Sequence, residues 1–289
     1  MASLSTQIST FIVLFPLGIR RLLCISYLYL QNPSLYRSRT WYFSEKSRWR
    51  DFDIYALLIA LPIAWFLDLL FSLIFSGDPT HKVTFLQHSV VILFFWMLVI
   101  VIVLRENFDH FSVPENFIFI LAGVSFLVEY FMLGGGITGL GGAAYELLGG
   151  LSLLCGGCCL YLSIRPERFF AEFMLSSGMA FKGTWALQTG LSLYTDTFAL
   201  KGCEKILIHL AQGKADVKCD LEEDRLRGIA LMNLLFIGHA VVVLTASFVL
   251  FGVLCSNRSL NCEEATGPLL VKPEAESVEL CIVPEFGPE

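Results

Sequence analysis

The stretch Phe181-Lys182-Gly183-Thr184-Trp185-Ala186-Leu187-Gln188-Thr189-Gly190 reads as the middle of an apolar helix that carries a lysine. Its flanks in sequence are as apolar as the stretch itself, so the lysine meets no water unless other helices build it a pocket. Working outward, the same kind of run recurs at Ile8–Tyr29, Ile54–Ser76, Thr84–Leu104, Pro114–Leu133, Gly141–Ile164 and Leu226–Cys255, with Phe169–Tyr194 holding the lysine. Each is long enough to cross the hydrocarbon core of a bilayer, which takes about 20 residues. The expected fold is therefore all-α, a polytopic seven-transmembrane-helix bundle over residues 1–255. Residues 256–289 are acidic, contain prolines and are poor in aromatics, which predicts a disordered tail.

Composition agrees. Hydrophobic residues are 55% of the chain and charged residues 16%, against about 25% charged in soluble domains. The formal charge of −6 gathers in the tail, and no basic block interleaved with aromatics is present, which excludes nucleic acid as a partner. The expected partner is the lipid bilayer. No Gly-rich phosphate loop, nucleophile elbow, His-Glu-x-x-His or paired Cys-x-x-Cys appears. No catalytic residue, metal or cofactor is therefore assigned.

The ends of the spans carry further signals. Arg20 and Arg21 interrupt the first run and are expected to snorkel to an interface. The loop Asn32–Arg50 mixes Arg37, Arg39, Lys46, Arg48 and Arg50 with Trp41, Tyr42 and Trp49, as a headgroup belt does. Seven spans place the first, third and fifth loops on one side with the tail. That side carries the excess of Lys and Arg, which predicts a cytosolic C-terminus and a luminal or outer N-terminus. The acceptor sequon Asn257-Arg258-Ser259 then stays unmodified.

Polar residues inside the spans are the candidate site: Asp68, His88, Glu129, Glu146, Lys182, Gln188, Asn233 and His239. Ionisable groups at that depth face the bundle interior rather than lipid. The ionisable members come from six different helices, which predicts one polar cavity, open toward the luminal side, with Lys182 paired to one of the carboxylates. The alternative is a structural ion pair that fixes helix register. The long loop Thr195–Asp224 holds Cys203 and Cys219, a disulfide candidate, and a short amphipathic helix is expected over Leu200–Leu210. Cys155, Cys158 and Cys159 read as small packing residues. Gly142, Gly149 and Gly156 recur every seven residues, as do Ala143, Gly150 and Gly157. This small-residue seam admits a close neighbour, a partner chain among the candidates.

With the spans in place, a family resemblance emerges. It rests on Gln87-His88-Ser89, Glu129-Tyr130, Gly183-Thr184-Trp185, Gln188-Thr189, Leu193-Tyr194 and Gly202-Cys203. Cys219, Leu221-Glu222-Glu223, Arg225-Leu226-Arg227 and, in the first loop, Asn32-Pro33-Ser34 with Tyr36 extend it. On these residues the chain resembles the transmembrane protein 45 family, its plant branch in particular, over about Gly18 to Cys255. The resemblance implies a seven-helix integral membrane protein of unsettled biochemistry. Four departures stand out. Family members have Gly-His-x-x-Pro-Gly where this chain has Thr6–Phe11, and Trp-His in place of Arg20-Arg21. They have a His-rich run in place of Gly134–Gly139, and glutamine in place of Lys182. The resemblance therefore implies a member that has lost most of the family's histidines. The leading expectation is a non-catalytic scaffold or small-ligand-binding membrane protein. A small-molecule transporter or proton-coupled carrier using Lys182, Asp68 and Glu129 comes second, and a degenerate metal-dependent intramembrane hydrolase third.

Overall fold

The computed structural model describes residues 4–42, 52–74, 79–108, 113–133, 140–195, 203–207, 215–219 and 221–265. Among these are seven α-helices: α1 Leu4–Gln31, α2 Phe52–Ile74, α3 Pro79–Asn107, α4 Glu115–Leu133, α5 Leu140–Ile164, α6 Phe169–Tyr194 and α7 Glu222–Ala265. All but α6 are long and apolar enough to cross a membrane. The chain is an all-helical bundle with the features of a multi-pass membrane protein. Pro16 and Pro62 lie inside α1 and α2, a position that helices packed in a bundle tolerate.

The more polar composition of α6 has a packing cause. α6 lies against α1, α5 and α7, and most of its residues are buried, Glu172, Lys182, Trp185 and Thr189 among them. A helix enclosed by other helices needs no apolar exterior. Three glycines let α1 run antiparallel to α6 at close range. A Cβ on Gly18 would lie 2.6 Å from the Ala180 nitrogen, one on Gly183 would lie 2.8 Å from the Phe15 nitrogen, and one on Gly190 would lie 2.9 Å from Gln7 Cβ. Backbone cannot yield as a side-chain tip can, so Gly183→Ala should lower stability by about 1–3 kcal/mol, the usual cost of overpacking. Gly150 has nothing within 4 Å, so Gly150→Ala should be neutral or slightly stabilising in the same thermal unfolding series, alanine being the better helix former.

The heptad seam of α5 faces α4 within the chain. A Cβ on Gly149 would meet the Tyr130 ring at 3.3 Å, and one on Gly156 would meet the Gly123 carbonyl oxygen at 3.2 Å. Those two glycines are spent on an internal helix pair. Gly150 and Gly157, on the companion stripe, face open space.

Around the bundle, α6 packs on α5, α5 on α4, α4 on α3 and α3 on α2. α1 packs on α6 and α7. Among the described residues, α1 and α2 do not pack along each other; the contact between them that stands out is the Arg20–Asp53 ion pair. Among the described residues, packing between α1 and α2 therefore does not close the ring of helices on that side.

Two expectations need correction. Residues 203–207 form strand β1, paired antiparallel with β2, Ala215–Cys219, where an amphipathic helix was expected over Leu200–Leu210. A helix so short is marginal, whereas β1 gains a partner strand and β2 packs against α5. The last helix also runs past both ends of the apolar run Leu226–Cys255. Glu222, Glu223 and Asp224 occupy its first turn, where acidic side chains suit the helix dipole. Residues 256–265, expected in the tail, continue it, and no proline interrupts them before Pro268. Residues 266–289 lie outside the described residues, as does the turn Gly134-Gly135-Gly136.

Candidate functional site

A cavity of about 1030 Å³ occupies the space between α1 and α6 on one side and α2, α3 and α4 on the other. Its walls are mainly apolar, with Leu14, Leu61, Phe95 and Phe126 among them. Two pairs of ionisable groups interrupt them at one end, and Arg20 and Arg21 at the other. Lys182 of α6 donates to Glu129 Oε2 of α4, and its ammonium lies 5.1 Å from the centre of the Phe126 ring. His88 Nδ1 of α3 stands 2.5 Å from Asp68 Oδ2 of α2. A carboxylate only accepts, so the imidazole donates. The two pairs differ in access. The Lys182 side chain is 1% exposed, against 17% for Glu129, 20% for Asp68 and 31% for His88. The ammonium is sealed behind its carboxylate, and the surface presented to the cavity is that of the acids and the imidazole.

At the other end, residues 36–42 form a strap across the bundle. The Ser38 amide and hydroxyl each donate to the Pro166 carbonyl at 2.8 Å. The Thr40 hydroxyl donates to Glu115 Oε1 at 2.7 Å, and Arg105 pairs with the same carboxylate. Glu172, three residues into α6 and fully buried, anchors the strap. Its Oε1 accepts from Arg21 at 2.5 Å and from the Tyr42 hydroxyl at 2.7 Å, and its Oε2 accepts from the Tyr36 hydroxyl. Arg21 also donates to the carbonyls of Thr40 and Arg39, at 2.7 and 2.8 Å. Arg20 donates to the Tyr42 carbonyl at 2.8 Å and to Asp53. Burial, and then the charge of Glu172, pushes both phenols well above the ordinary tyrosine range. Thr40, Trp41 and Tyr42 line the cavity, so the strap is its floor.

The structure thus brings together Lys182, Glu129, Asp68 and His88, four of the eight expected interior residues. His239 and Gln188 lie elsewhere, on a second hollow of about 290 Å³ between α6 and α7. Six residues separate Lys182 from Gln188, which turns them about 120° apart on a helix of 3.6 residues per turn. The single Thr184 hydroxyl hydrogen serves the carbonyls of Ala180 and Phe181. His239 Nε2 lies 2.9 Å from the Thr184 hydroxyl oxygen, within hydrogen-bond distance. Glu146 on α5 and Asn233 on α7 are exposed and join neither group. Among the described residues, no three metal-ligating side chains converge. In the hairpin, Cys203 stands opposite Cys219 in register, and Cys219 is disulfide-bonded.

The segment from the start of α4 into α7 can be set beside known proteins. Residues 115–252 match a family model described as "Family of unknown function (DUF716)". The match takes in Glu129, Glu172 and Lys182 and leaves out α1, α2 and α3, which supply Arg21, Asp68 and His88. No curated protein matches the chain.

Proposed function

We propose that the protein is a non-catalytic membrane protein that binds a lipophilic small molecule in the α1–α4/α6 cavity. One observation carries this reading: a largely apolar space of about 1030 Å³ beside the opening between α1 and α2, in the size range of a small-molecule site. From Arg21's partner Glu172 to Lys182 is ten residues of α6, about 15 Å of helix, which suits an elongated ligand arriving sideways from the bilayer. The test is ligand content. Protein purified in mild detergent should carry a lipophilic molecule by native mass spectrometry. Ala64→Trp, at the α2 wall, should remove it while the melting temperature falls by only a few degrees. A wild-type protein that is empty, and that binds no lipophile on titration, sinks the proposal.

A second reading, a proton-coupled carrier, is favoured by the His88–Asp68 pair facing the same cavity. Ligand binding without ligand-driven proton flux in sealed vesicles is the result expected here, and coupled flux would favour the carrier.

The finer assignments belong to the same reading. α6 is a seventh crossing, because it runs antiparallel to α1 over 26 residues. The chain is a divergent plant-type member of the transmembrane protein 45 family, on the motif residues around Gly183-Thr184-Trp185 and on the family match. Cys219 is joined to Cys203, which puts the hairpin in an oxidising compartment and the C-terminus in the cytosol, in line with the cationic residues of the first loop. Peptide mapping without reductant should recover that pair, and Asn257 should carry no glycan. A glycan on Asn257 would reverse the orientation.

A further inference from the structure

The chemistry of the ligand's polar end can be read from what the cavity leaves unspent. At the strap, Arg21 and Arg20 are committed to Glu172, Asp53 and backbone carbonyls. Two N–H groups there, Arg21 Nε and Trp41 Nε1, have no partner, but both are sealed inside the protein. The opposite end differs. Asp68 uses Oδ2 for His88 and Glu129 uses Oε2 for Lys182, which leaves Asp68 Oδ1 and Glu129 Oε1 without a bond from any described residue. Neither oxygen is among the buried polar atoms that lack a partner, so each keeps accessible surface. With its Nδ1 proton on Asp68, a neutral His88 presents Nε2 as a third acceptor. Lys182, the cationic side chain described at this end, is almost fully buried and already bonded to Glu129.

The three acceptors also lie at similar depth. α2 and α4 start at the strap face of the bundle and α3 ends there. From that face Asp68 is 16 residues up α2, Glu129 is 14 up α4 and His88 is 19 back along α3. At 1.5 Å per residue these lie within about 8 Å of one another in depth. Charge points the same way. Among the described side chains, two carboxylates stand against one ammonium at this end.

We propose that the cavity takes a lipophilic amine, a single-chain or small polycyclic alkylammonium. Its three N–H donors are met by Asp68, Glu129 and His88, and its apolar body extends toward the strap. This rests on the cavity being a ligand site, and it adds the charge and polarity of the head. An ammonium matches the acceptors that Asp68, Glu129 and His88 offer, in number of bonds and in sign. A carboxylate head would add a third anion around one cation, and an alcohol would satisfy one acceptor and leave the charge uncompensated. Lys182 has a role here without touching the ligand. It neutralises one of the two acids, so that one ligand charge is enough for both.

The test compares dodecylamine, dodecanol and dodecanoate at pH 7 on the full chain in phosphatidylcholine nanodiscs, each corrected for partition into empty discs. The amine should bind at least tenfold more tightly than the alcohol, with the acid weakest. Asp68→Asn should bring the amine down toward the alcohol, and Asp68→Glu should restore part of the preference. If all three probes bind alike, or the acid binds best, the amine assignment falls and the cavity reading stands. If none binds, both fall. The wild-type series carries the decision even if Asp68→Asn does not fold.

Discussion

Glu172→Ala should destabilise the protein by about 3–5 kcal/mol, the usual cost of leaving one member of a buried ion pair without its partner. The magnitude follows from what the carboxylate holds. It is fully buried, and it accepts from Arg21 of α1 and from Tyr36 and Tyr42 of the strap. Without it, Arg21 remains in the wall with two carbonyl partners and no counter-charge, and two phenols lose their acceptor. The loss should appear as a lower melting temperature and as early protease cleavage between 36 and 42. Tyr36→Phe and Tyr42→Phe should each cost about 1 kcal/mol, the net worth of one hydrogen bond. The same cluster sets a pH dependence. In the unfolded chain these phenols ionise near 10.0, and in the folded chain they stay protonated well above it. Above pH 10 the unfolded state therefore binds fewer protons than the folded one. The phenols' contribution to stability is complete below pH 10 and declines as pH rises. An ultraviolet titration in which both phenols ionise near pH 10 in the folded protein would contradict the buried arrangement.

How far the sequence spoke for itself depends on the residue. Lys182 in an apolar run announced a buried pair, because no lipid-facing position accommodates an ammonium at mid-span. Glu129, Asp68 and His88 were legible for the same reason. Sequence did not say which acid would take the lysine, since that depends on helix rotation and depth. For Arg20 and Arg21 the sequence suggested an interface and did not disclose their protein partners, Asp53 and Glu172. The two arginines sit inside a span, and the matching signal was Glu172 near the opposite end of an antiparallel partner helix. Pairing them requires knowing that α1 packs on α6. That contact is written in Gly18, Gly183 and Gly190, three isolated glycines with no common spacing. The regular seam Gly142, Gly149 and Gly156 drew attention to α5 instead, where two of its members serve the neighbouring α4. Glu146 and Asn233 were assigned to the interior by composition, and they face outward because a single polar residue on a long helix does not fix its rotation. The strands at 203–207 and 215–219 were hidden because five-residue segments carry too little periodicity to separate strand from helix.

Glu129→Gln should cost more than Lys182→Met, although each breaks the same ion pair. Lys182 is 1% exposed and Glu129 17%. Removing the acid's charge leaves a cation with almost no water around it, facing a neutral amide and the Phe126 ring. Removing the lysine leaves an acid that still borders the cavity, where water or a ligand can reach it. We expect about 3–5 kcal/mol for Glu129→Gln and a smaller loss for Lys182→Met. The double variant Lys182→Met/Glu129→Leu should return to within about 1 kcal/mol of the parent, because the pair's attraction mainly offsets the cost of burying its own charges. A double-mutant cycle by chemical or thermal unfolding in one detergent measures this. Near-additive losses would mean that the two residues act separately and would remove the pair from the site. If the cycle instead shows strong coupling, the double variant becomes a tool for the cavity. It replaces two charges with apolar side chains, so Asp68 and His88 remain as the paired ionisable groups of that wall. Amine binding should survive in it with one anionic partner fewer.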